Sequence, residues 1–87
     1  MSTGIRDFIK EIRNIDGCKT SIEINHKLYG NQRIEYNIQI LDDESRLGFH
    51  INDQDIYINK LEICDFGIVG GTYYFASKLM CIKLKTI

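Results

Sequence analysis

The side chains most able to do chemistry are two histidines, His26 and His50, and three cysteines, Cys18, Cys64 and Cys81. Together they raise the question of a metal. Zinc sites pair their ligands a few residues apart, as in C-x2-C or H-x3-H, and no such spacing occurs. Nor does an odd number of scattered cysteines suggest a disulfide framework. No metal and no cofactor is expected. A nucleophilic site would need a thiol beside a base, and Cys64-Asp65 with His50 is the one set that could converge. Cys64 lies in an apolar, strand-like run, however, where a thiol is expected to be buried and inert. No catalytic residue is assigned, and the protein is expected not to be an enzyme.

Two loops invite anion and cation readings. Gly67-Ile68-Val69-Gly70-Gly71-Thr72 is glycine-rich, but the Lys-Ser/Thr pair and the helix of a phosphate loop do not follow it. Asn52-Asp53-Gln54-Asp55 alternates oxygens but lacks the glycine and the distal glutamate of a calcium loop. Both read as turns.

The remaining candidates act by contact. Tyr73, Tyr74 and Phe75 put aromatic rings on both faces of one strand, and Tyr57 lies opposite Ile56 and Ile58. A one-sided core accommodates one face of a strand, so some of these rings need another cover. Two surfaces follow. A protein-binding surface would use Asp42, Asp43, Glu44, Tyr57, Tyr73 and Phe75, since tyrosine is enriched at interfaces. A single-stranded nucleic-acid or RNA surface would stack bases on Tyr57, Tyr73 and Phe75 and meet phosphates with Lys78, Lys83 and Lys85.

Charge favours the first of these. The 87 residues carry 11 basic and 12 acidic side chains, a net charge of −1, so there is no general attraction to a polyanion. The acids are concentrated at 42–65, whereas residues 72–87 carry only Lys78, Lys83 and Lys85 as charges. This bipolar pattern suits docking to a partner or a second copy of the chain.

The elements that must position these residues are set by a change of hydrophobic period. Ile5, Phe8, Ile9, Ile12 and Ile15 repeat at helical spacing, and from about residue 20 the repeat is two. A helix is predicted over 3–15, with Ser2 or Thr3 as N-cap and Gly17 as the left-handed stop. Strands are predicted at 19–28, 33–41, 46–51, 56–58, 72–76 and 79–85. Residues 60–66 are expected to continue as a bulged strand. Short connections imply antiparallel neighbours. Sixteen isoleucines and no proline suit uninterrupted strands.

The expected fold is therefore α+β: one compact domain over 1–87, a single N-terminal helix packed on a curved antiparallel β-meander of six or seven short strands. The sheet either stays open or curls into a small open barrel. That layout is similar to small nucleic-acid-binding barrels, but no motif of such a family is present. The expected function is a small cytoplasmic binding or regulatory protein working through protein contact, of the kind found among bacterial or phage accessory and inhibitor proteins. The alternative is a nucleic-acid-binding barrel. A homodimer through the C-terminal strand is expected if that strand is an edge. The N-terminus lacks a basic start followed by an apolar run, and no membrane association is expected.

Overall fold

A computed structural model describes residues 3–87. Helix α1 spans Thr3–Ile12 and tightens into a 3-10 turn at Arg13–Ile15. Ser2, a proposed N-cap, lies outside the described residues. Eight strands follow: β1 (Lys19–His26), β2 (Gly30–Asn37), β3 (Gln39–Asp42), β4 (Arg46–Ile51), β5 (Gln54–Asn59), β6 (Asp65–Val69), β7 (Thr72–Ala76) and β8 (Met80–Thr86). They form two antiparallel sheets, one of five strands in the order β2-β1-β8-β7-β6 and one of three in the order β3-β4-β5. The α+β meander is as expected, but the sheets do not close into a barrel.

The predicted strand 33–41 is divided. Its even-numbered apolar series spans a corner where Ile38, fully buried, accepts from Gly17 N–H and donates to Cys18 O. Ile34 and Tyr36 before the corner belong to the large sheet, and Ile40 after it to the small one. The alternation runs through the bend without marking it, although Ile34 and Tyr36 stay exposed at 39 % and 43 %. The predicted bulged strand at 60–66 is instead a 3-10 turn, Lys60–Glu62, followed by β6. Asn59 Oδ1 accepts from Leu61 N–H at 3.0 Å and starts that turn locally, overriding the period-two pattern. Gly67, expected in a turn, lies within β6.

Two hairpins close through two-residue loops whose central residues both have positive φ: Asn52-Asp53 (48°, 65°) and Gly70-Gly71 (57°, 81°). That backbone matches the right-handed twist of the strands, and Asn, Asp and Gly tolerate it best.

One core joins the layers. Ile22, Ile24, Phe75, Ile82 and Leu84 of the large sheet pack in one cluster with Phe8, Ile12 and Ile15 from the helical segment. Leu47, Phe49, Ile51 and Ile58 of the small sheet belong to the same cluster. Phe8 is the hinge of this packing, with its ring 5.4 Å from Phe66, 6.1 Å from Phe75 and 6.4 Å from Tyr73. The helix and the small sheet thus cover one face of the large sheet and leave the other open.

Candidate functional site

The open face is built by the odd or even partners of the core residues. Cross-strand register places Arg33, Glu23, Lys83, Tyr74 and Gly67 in one row across five strands. The next row is Glu35, Ser21, Lys85, Thr72 and Val69. Apart from Gly67 and Glu35, these residues line a groove of about 550 Å³, with Asp65, Ala76 and Cys81 at one end. Tyr74 lies across Gly67. A Cβ at that glycine would sit 2.8 Å from the phenol oxygen, so the missing side chain lets the ring lie flat on the sheet. The groove floor is therefore an aromatic plane with small side chains, and its rim carries charges of both signs.

Those charges are only lightly engaged. Arg33 reaches Glu23 at 3.5 Å from an exposed position, a geometry worth little in water. Lys83 and Lys85 are exposed and make no ion pair among the described residues. Asn25, on the same face, donates to Glu23 at 3.3 Å and leaves its Oδ1 enclosed without a partner. Burial pushes the Cys81 thiol up, outweighing the opposing charge of Lys83, so it is a poor nucleophile at neutral pH.

The sequence-selected residues are not brought together as one site. Phe75 is 0 % exposed, and Tyr73 is half-buried with its ring 6.4 Å from Phe8, on the core side of the sheet. The outward ring is Tyr74. Lys83 and Lys85 do share a surface with it, whereas Lys78 sits at the β7–β8 turn.

Tyr57 belongs to the small sheet, where the Arg46 guanidinium stacks on it at 5.1 Å. The acidic set is likewise mostly committed within the chain. Asp42, 12 % exposed at its side chain, pairs with Arg13 and with Lys60 Nζ at 2.6 Å. Asp43 accepts from Arg46 Nε at 2.7 Å and from the Ser45 and Arg46 amides, which shapes the β3–β4 turn. Glu44 alone stays exposed without an ion pair among the described residues. Burial alone would raise the Asp42 carboxyl, but hydrogen bonds and charge from Lys60 and Arg13 hold it below its ordinary value. Arg46, opposed by slight desolvation, holds Asp43 down in the same way.

The histidines are also occupied. His26 Nδ1 accepts from the Leu28 and Tyr29 amides at 3.0 and 3.3 Å, capping the β1–β2 loop. His50 meets Asp55 at 2.6 Å. Cys64, expected to be buried, is exposed in the loop before β6. Among the described residues no three His, Cys, Asp or Glu side chains gather where they could hold a metal ion. Among the described residues no helix is long and apolar enough to cross a membrane.

Sequence reasoning missed Glu23, Arg33, Asp65 and Tyr74. The available signal was parity. Once Tyr73 and Phe75 go to the core, Tyr74 must share a face with Lys83, and Lys83 with Glu23. Choosing between the two parities needed the position of Phe8, which lies far away in sequence.

No protein-family model, no curated protein and no solved structure matches the chain.

Proposed function

We propose that the protein works by contact, holding an extended segment of a partner protein along the open face of the five-stranded sheet. The observation that carries this reading is the groove itself. It has a flat aromatic and small-residue floor, and cations at Arg33, Lys83 and Lys85 that outnumber Glu23 and Asp65 along it. An extended segment could lay apolar side chains over Tyr74, Ala76 and Val69 and direct carboxylates to Lys83 and Lys85. A nucleic-acid strand fits less well. The groove offers one ring where successive bases need several, and Glu23 and Asp65 would oppose its phosphates.

The test places a photo-crosslinking residue at Tyr74 and compares the native chain with Lys83→Glu/Lys85→Glu. The expected result is a discrete protein adduct that the double variant loses while its thermal midpoint stays unchanged. Retention of the same adduct by the variant would refute the reading. So would tight, salt-sensitive binding of single-stranded oligonucleotides with no protein adduct.

A further inference from the structure

The outer edge of the large sheet is unguarded. β8, whose pairing with a second copy required it to be an edge, is interior and pairs with both β1 and β7. The long edge is β2, with all eight of its residues exposed. It has no proline and no lysine and, among the described residues, no covering segment, which are the usual protections of an edge strand.

Main-chain direction along β2 follows from the hydrogen bonds around it. Ile87 N–H donates to Lys19 O and Lys27 N–H to Leu79 O, so the odd-numbered residues of β1 bond toward β8. Its even-numbered residues then bond toward β2, as Ile38 N–H to Cys18 O shows at the end of the ladder. With Ile22 opposite Ile34, the even residues of β2 face inward. Asn31, Arg33, Glu35 and Asn37 therefore present their N–H and C=O groups outward.

We propose that β2 pairs with β2 of a second copy, antiparallel, about a two-fold axis at Ile34. Only outward residues can exchange main-chain bonds, so the axis must fall on a residue rather than between two. An axis at Arg33 would set that arginine against itself, and one at Glu35 would oppose two acids. An axis at Ile34 sets Arg33 against the partner's Glu35 and Asn31 against the partner's Asn37, each pair exchanging main-chain bonds. On the other face Ile34 meets the partner's Ile34, and Tyr36 meets the partner's Gln32. The same register carries the hairpin tip, with Leu28 72 % and Tyr29 83 % exposed, alongside the partner's Gln39 corner. Such a contact is isologous and closes. It joins two open faces into one continuous surface.

The experiment is sedimentation velocity of the full chain from micromolar to millimolar concentration, with Arg33→Glu, Glu35→Arg and an equimolar mixture of the two variants. The native chain is expected to approach twice its 10.1 kDa mass. Each variant alone opposes like charges at both pairs and should raise the dimer dissociation constant about tenfold or more. The mixture restores both pairs, because the glutamate introduced at 33 meets the arginine introduced at 35, and the native Glu35 meets the native Arg33. It should regain native affinity. Three results would each overturn the proposal: a native chain that stays monomeric throughout, variants that dimerise as well as the native chain, or a mixture no better than its components. Circular dichroism confirms that the variants fold. Lys83→Glu/Lys85→Glu, which tests the groove, should leave the dimer unchanged.

Discussion

The two sheets use similar charged residues for opposite ends. On the small sheet nearly every charge is spent inside the molecule. Arg13 and Lys60 converge on Asp42, and Arg46 bridges Asp43, Asp55 and the Tyr57 ring. On the large sheet Lys83, Lys85 and Glu35 have no ion-pair partner among the described residues, and Arg33 has only a long one. The first arrangement ties the helix end, two turns and a hairpin together. The second contributes little to folding and leaves its charges available. Acid-rich sequence thus marks a locked region here, and the sparsely charged C-terminal segment marks the open one.

The largest effect expected on either sheet lies beneath the locked face. Gly48 is opposite Tyr57, and a Cβ there would fall 1.9 Å from Ile56 O and 2.5 Å from Tyr57 Cα. Those are main-chain atoms of a paired strand, so β4 and β5 would have to separate. Gly48→Ala should cost about 3 kcal/mol and lower the thermal midpoint by about 15 °C. Gly67→Ala on the large sheet meets only the far end of the Tyr74 side chain, which can swing aside. It should cost under about 1 kcal/mol. Equal losses in urea denaturation at the two glycines would erase the contrast between the sheets.

The next effect is electrostatic and depends on pH. Asp42→Asn removes the negative charge shared by Arg13 and Lys60 and turns one of its two acceptor oxygens into a donor, which should cost about 1–2 kcal/mol at neutral pH. The folded-state carboxyl lies below its ordinary value of 3.8. Its contribution is therefore present above that value and fades as pH falls through the lower folded value. Stability curves of the native chain and Asp42→Asn should be separated at pH 7 and converge in acid. A separation that is constant with pH would mean that the aspartate acts through packing rather than charge.

These differences also show what could be read without coordinates. The helix, the β-meander and the inward faces of β1, β4 and β8 were legible, because each repeats its apolar residues at one clear period over several turns or pleats. The corner at Ile38 was not, since alternation continues through a bend as it does through a straight strand. The fate of the acids was equally hidden. Asp42 finds Arg13 and Lys60 at separations of 29 and 18 residues, and only the folded topology closes those distances. For the site, Lys83 and Lys85 were recognisable as outward, but their neighbours depend on strand order. That order places β8 between β1 and β7, although β1 is remote from it in the chain.

The smallest effect is the sharpest test of the comparison. Lys83→Gln/Lys85→Gln removes two charges from the middle strand of the large sheet without touching its core face, where Ile82 and Leu84 alternate with them. Exposed charges without close partners contribute little, so stability should change by less than about 0.5 kcal/mol. Differential scanning calorimetry at low and moderate salt reads this directly. A loss as large as that of Asp42→Asn, shrinking with salt, would show that the lysines serve Glu23 as Lys60 serves Asp42. The open face would then be a second locked surface, and the groove would lose its free cations. An unchanged midpoint leaves binding as the property these lysines are free to serve.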